Sequence, residues 1–152
     1  KSKEILKEGF ETIRSFALNN ILKTIKDDLK DFGVIPNKWF KESSMFANSK
    51  NGASQVEEAI SVLTENNYIY KKDGALWFRS TDFDDEKDRV IKRENGLTTY
   101  FASDIAYHAN KYKRGYTKII NIWGADHHGY LPRVRAAMAA LGEDTNKFEV
   151  VF

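Results

Sequence analysis

The sequence predicts an α/β protein with a smaller α+β unit at its front. From residue 98 the patterns run strand, helix, strand, helix, strand, the order that produces a parallel sheet with helical crossovers. Residues 1 to about 90 combine two helical stretches with a turn-rich hairpin segment instead. A length of 152 residues at 41% hydrophobic content allows one core, or one core with an appendage.

The elements follow in order. Ile5, Leu6, Phe10, Ile13, Ala17, Leu18, Ile21, Leu22, Ile25 and Leu29 recur at three- and four-residue steps, which predicts a long amphipathic helix over residues 4–30, ended by Gly33. Residues 34–53 hold Pro36, Asn37, Ser43, Ser44, Asn48, Asn51 and Gly52 and read as irregular connection with a short strand. Ser54 followed three residues later by Glu57 is a capping-box pattern, opening a helix with Val56, Ala59, Ile60 and Leu63 on its buried face. "YIYKKDGALWFRS" is a hairpin about Asp73-Gly74, and "VIKRENGLTTYFA" reads as two strands about Asn95-Gly96. Ser103 is expected to cap a helix ending at Gly115. "KIINIW" is a short buried strand, residues 130–141 a helix with Leu131, Val134, Met138 and Leu141 inward, and "KFEVVF" a last strand.

Composition narrows the function classes. With 24 basic and 22 acidic residues, no domain-wide field argues for nucleic acid. No apolar run approaches the roughly 20 residues that cross a bilayer, so no membrane partner is expected. The absence of cysteine excludes disulfides and thiolate-bound zinc and fits a reducing, cytoplasmic setting. In "DFDDEKD" five of the seven residues 82–88 are acidic, but the glycine and terminal glutamate of a helix-loop-helix calcium site are missing, so a solvated loop is expected. "KYKRGYTK" interleaves tyrosines with cations, which suits either RNA or the dipole at a helix end.

Two clusters carry chemistry. "GADHHG" at 124–129 lies where a strand ends and a helix begins, the place where open α/β sheets bind ligands. Gly124 would admit a flat ligand, Asp126 offers acceptors for hydroxyls or a cation, and His127 and His128 can donate to phosphate oxygens. Tyr130 stands where a phosphate loop needs lysine, so that motif is absent. The alternatives are a polar turn whose histidines cap a helix, or a metal site, against which stands the poor convergence of adjacent side chains. In "TTYFASDIAYHANKYKRG", Asp104 with Tyr107 and His108 on one helical face, and Tyr100 just upstream, suits a guanidinium group. An acid in a first helical turn is also favoured by the dipole alone.

Together "DGALWFRST", "EKDRVIKRENGLTTYFASDIAYHANKYKRG" and "IINIWGADHHGYLPRVRAAMAALG" resemble the second half of the catalytic domain of bacterial-type arginyl-tRNA synthetases, of class I. The resemblance runs from about residue 73 to 152, with a looser similarity through "WFKESSMF". It implies the second half of a nucleotide-binding Rossmann-type parallel sheet over residues 91–152. Residues 1–90 would be an α+β insertion subdomain (connective peptide) of the catalytic domain. It further implies arginine contacts at Tyr100 and Asp104, and ATP or adenylate contacts at Gly124, Asp126 and His127. ATP would be a substrate, Mg2+ would arrive with it, and no bound metal is expected. Arginine, ATP and tRNA(Arg) would be partners, with the remainder of the same polypeptide. Asp84 stands where the family usually has glycine. Neither an H-x-G-H nor a K-M-S-K-like motif occurs, so the chain is expected to be a fragment that is inactive alone. The alternatives are a stand-alone arginine- or RNA-binding module descended from such an enzyme, and a histidine-metal hydrolase.

Overall fold

Helix α1 spans Ser2–Asp31, as its periodicity predicts. It stops in a Schellman arrangement: Gly33, at φ 84°, donates to the Lys30 carbonyl, and the Val34 amide reaches back to Leu29 at 2.7 Å. Many of its apolar positions are exposed, Phe10, Ile13, Phe16 and Ile21 among them, while Leu22 and Leu29 are half-buried. The computed structural model describes residues 2–48 and 52–152, with side chains from residue 8 onward. Ile5 and Leu6 as side chains, and Asn51, lie outside the described residues. Contacts divide the chain into two compact units, Lys1–Phe40 and Lys41–Phe152. Between 34 and 48 the strand expected from sequence is replaced by bends and a single 3-10 turn at Glu42–Met45. The apolar residues of this stretch are too scattered among Pro, Asn and Ser to sustain a ladder.

Within the second unit, α2 (Gln55–Glu65) opens on the capping box read from sequence. The Ser54 hydroxyl accepts from the Glu57 amide, and the Ser54 amide donates to Glu57 Oε2 at 2.8 Å. Val56, Ala59 and Leu63 are buried, whereas Ile60 is only half-buried. Strands β1 (Ile69–Lys72) and β2 (Ala75–Phe78) form the expected hairpin. Asp73 and Gly74 both have positive φ, the requirement of a type I′ turn. Strand β3 (Arg89–Lys92) completes an antiparallel sheet in the order β1-β2-β3.

The partner strand expected after Asn95-Gly96 shrinks to one bridge between Lys92 and Thr98. Thr99 ends it, folding back with its amide on the Ile91 carbonyl and its hydroxyl on the Val90 carbonyl, both at 2.9 Å. Helix α3 then begins at Tyr100 and runs to Tyr112, earlier than the Ser103 cap read from sequence. Ser103 lies inside it and donates to the Tyr100 carbonyl. Strand β4 (Ile119–Ile122) leads through a 3-10 segment, Ala125–Tyr130, into α4 (Leu131–Ala140) and then β5 (Phe148–Val151). β4 and β5 pair in parallel, so the predicted α/β alternation holds from α3 onward. β3 belongs to the other sheet. The core places Phe78, Leu63, Ile91, Ile105 and Met138 fully inside, and Ile119, Val134 and Phe148 pack together under β4 and β5.

Candidate functional site

β4 alternates strictly: Ile119 and Asn121 are buried, Ile120 and Ile122 exposed. Asn121 therefore puts a polar side chain in the buried phase of a strand, where it must find partners. Its amide donates to His108 Nε2 at 2.7 Å, and its oxygen accepts from Lys111 Nζ at 2.6 Å. His108, one turn after Asp104 on α3, donates from Nδ1 to the Asp104 carbonyl at 2.8 Å. These bonds fix the imidazole as the neutral Nδ1–H tautomer. Burial, reinforced by the Lys111 charge, lowers the His108 pKa to about 4. Burial and then Arg114 bring the Lys111 ammonium down to about 8. Lys111 lies 4.4 Å from the centre of the Tyr107 ring and makes no ion pair among the described residues.

Above this network, a cavity of about 490 Å³ runs along α3 and the end of β4. Asp104, Tyr107, Trp123, Gly124, His127 and Tyr130 line it with the three residues just described. Asp104 accepts from the Tyr130 hydroxyl at 2.9 Å and forms no ion pair among the described residues. Burial raises its carboxyl above the usual range; the Tyr130 bond opposes that shift and the charge of Glu42 adds to it. Burial and the facing Asp104 charge push the Tyr130 phenol up to about 12. Asp104 sits in the second turn of α3, since the first turn holds no acid. The helix-terminus dipole therefore does not account for it.

Of the residues singled out from sequence, Asp104, Tyr107, His108, Gly124 and His127 share this cavity. Asp126 is exposed beside it, 3.6 Å from His127 Nε2. A Cβ on Gly124 would come within 2.6 Å of the Asp126 Oδ1 atom. Tyr100 is 81% exposed and lines a different depression with Glu42, Arg93 and Ser103. His128 stacks on Phe152 at 3.5 Å. No side-chain cap bond is made at the start of the 3-10 segment or of α4, so the histidines are not helix caps. Among the described residues no group of three His, Cys, Asp or Glu is placed to hold a metal ion.

The acidic run is solvated at Asp82, Asp84 and Glu86, as expected, but not at its other two acids. Asp85 is buried and gripped by Arg89 through bonds of 2.7 and 2.6 Å, while Asp88 accepts from Thr81 and from Tyr70. The basic run 111–118 is largely exposed, with two of its cations in surface ion pairs: Lys118 with Glu149 at 2.7 Å and Lys113 with Glu58 at 3.8 Å. Sequence reasoning assigned no role to Asn121 or Tyr130, and placed Lys111 only in the basic run. The one available signal was the polar Asn121 inside an otherwise apolar strand.

A parallel β-α-β pair with a polar cavity at its strand end is a ligand-binding α/β arrangement, and likeness to known proteins narrows it. No protein-family model matches the chain. An arginine–tRNA ligase of Psychrobacter cryohalolentis is 53% identical over 150 residues, which is 99% of this chain and 24% of that protein. One from an Azoarcus species is 56% identical over 149 residues, again 24% of its length. Among solved structures, a Campylobacter jejuni protein assigned as an arginyl-tRNA synthetase superposes with a TM-score of 0.83 at 41% identity, over 91% of this chain and 29% of that one. Arginyl-tRNA synthetase from Plasmodium falciparum, at 14% identity and a TM-score of 0.67, shares the fold over 90% of this chain and 24% of that one. These matches place the chain among aminoacyl-tRNA ligase sequences. More narrowly, it is similar to arginine–tRNA ligases along nearly its whole length, the first 72 residues included, and it spans about a quarter of the curated relatives it matches.

Proposed function

We propose that this segment supplies the arginine-recognising side of an ATP-dependent arginine–tRNA ligase, which forms arginyl-adenylate and transfers arginine to tRNA(Arg). The observation that carries the reading is Asp104: a half-buried carboxylate facing a cavity, with a neutral hydroxyl as its hydrogen-bond partner and no ion pair among the described residues. A guanidinium would complete it through paired charged hydrogen bonds and would bring the raised carboxyl pKa back down. Tyr100, one turn earlier on α3, lines the neighbouring depression with Glu42 and Arg93, and would contact arginine from outside this cavity. Gly124 and His127, with Asp126 beside them, would line the adenosine and phosphate side. Mg2+ would enter with ATP as part of the substrate.

In this reading residues 91–152 form the second half of the Rossmann-type core and residues 1–90 an insertion subdomain of a cytoplasmic enzyme. The chemistry then consists of positioning. Arginine's carboxylate oxygen attacks the α-phosphorus of ATP, pyrophosphate leaves, and this segment holds the amino acid for that attack. The groups that grip the leaving triphosphate would come from the rest of the protein. The test is arginine-dependent exchange of pyrophosphate into ATP by the complete enzyme with Asp104→Asn. Losing the charged partner of a guanidinium costs about 2–5 kcal/mol. The arginine KM should therefore rise thirtyfold or more while the ATP KM stays within about twofold. An unchanged arginine KM would remove Asp104 from the site.

A further inference from the structure

The reading above leaves open what aims the Asp104 carboxylate. A carboxylate on a two-torsion side chain can present either its edge or its face to a ligand, and only the edge matches the two parallel N–H bonds of guanidinium. We propose that Tyr130 is a positioning residue of this site: its hydroxyl holds Asp104 Oδ2 so that the free edge of the carboxylate faces the cavity.

The geometry is specific. The Tyr130 hydroxyl donates to Oδ2 at 2.9 Å, occupying one of that oxygen's two acceptor directions. The other direction and all of Oδ1 remain for a ligand. The phenol is itself held. Phe101 and Trp123 pack against its ring nearly at right angles, each with centroids 6.4 Å away, and the Arg133 guanidinium lies 4.5 Å over the ring. A donor fixed by packing on both sides restrains an acceptor better than a mobile one. With its pKa near 12 the phenol keeps its proton, and so its donor character, across the working pH range.

Tyr130 closes the same 3-10 segment that carries His127. One short piece of backbone thus serves both the proposed arginine and adenylate sides. The charged or titratable groups acting on Asp104 are Tyr130 from that segment, His127 beside it, Lys111 from α3 and Glu42 from the 3-10 turn at 42–45. Of these, Tyr130 makes the direct bond, so removing its hydroxyl should raise the Asp104 pKa further. The inference rests on Asp104 binding the guanidinium, and the test separates the two.

In the complete enzyme, Tyr130→Phe should raise the arginine KM about tenfold, the usual scale for a hydrogen bond to a charged group. kcat and the ATP KM should stay within about twofold. The acidic limb of kcat/KM for arginine should move upward by about one pH unit. Replacing Tyr130 with 3-fluorotyrosine keeps ring and hydroxyl but makes a stronger donor, so that limb should move downward. A packing role alone would not give shifts of opposite sign. The fluorinated protein also decides the matter should the Phe variant fold poorly. If Asp104→Asn raises the arginine KM but neither Tyr130 replacement moves the limb, Tyr130 does not position Asp104. If Asp104→Asn itself leaves the arginine KM unchanged, the guanidinium reading falls and this inference with it.

Discussion

Asp85 and Asp104 lie 19 positions apart in the sequence, and the protein treats them in opposite ways. Burial raises the carboxyl pKa of both. At Asp85 the Arg89 fork, the Ser80 hydroxyl and the Glu86 amide more than reverse that, and the group is held below the ordinary carboxylate range. At Asp104 the single Tyr130 bond does not, and the group stays above it. One acid is neutralised from within and closes the loop between β2 and β3. The other is left short of a counter-charge at a cavity wall. Acidity or burial alone therefore does not mark a site; a buried charge whose partner must come from outside does.

The strongest way to break this contrast is to strand Asp85. Arg89→Met should destabilise the protein by about 3–5 kcal/mol, the range for removing one member of a buried pair, seen as a lower urea midpoint. Asp104→Asn should leave that midpoint unchanged or raised, because it removes a buried charge that lacks a cation. Equal losses in both variants would erase the distinction.

Acid titration sharpens the contrast through His108. Its folded pKa lies below its unfolded value of 6.5. The stability it contributes is thus present above pH 6.5 and lost as pH falls through 6.5 toward about 4. Unfolding free energies from urea titrations at pH 7.5 and 4.5 should differ by on the order of 2–3 kcal/mol, and His108→Gln should shrink that difference. Asp85, with its lowered pKa, gives up its contribution only below 3.8. Asp104 has the reverse sign, with stability present below 3.8 and lost as pH rises through its raised value.

The smallest expected effect is at Asp84. It caps the 3-10 turn Ser80–Phe83 in the left-handed region, at φ 66°. The turn therefore has the conformation that a glycine at this position would favour, and aspartate tolerates it at a cost. Asp84→Gly should stabilise by about 1 kcal/mol, read as a small rise in the thermal midpoint without change in arginine KM.

Local signals were legible in the sequence. The Ser54–Glu57 box, the Asp73-Gly74 turn and the Gly33 stop are short-range chemistry, and each stands where the residues put it. What depends on tertiary partners was not legible. Thr99 cuts a strand short because carbonyls of β3 are within its reach, which no local pattern reveals. Within the acidic run, Asp85 reads as solvated until Arg89, four residues on, folds back over it. In the candidate site, Asp104 was visible beside His108 at helical spacing. Its link to Tyr130 spans 26 positions and exists only because β4 and α3 pack together.

The two sheets also differ in when they can form. β1, β2 and β3 join neighbours through local turns, so that sheet can assemble as soon as residue 92 is free. β4 must wait for β5, whose first paired residue is Phe148 opposite Ile119. At ordinary rates of synthesis the intervening stretch takes a few seconds to emerge. During that interval Asn121, His108 and the cavity above them lack the strand that seats β4. Within this segment, the part proposed to recognise arginine is thus the last to gain its paired strand.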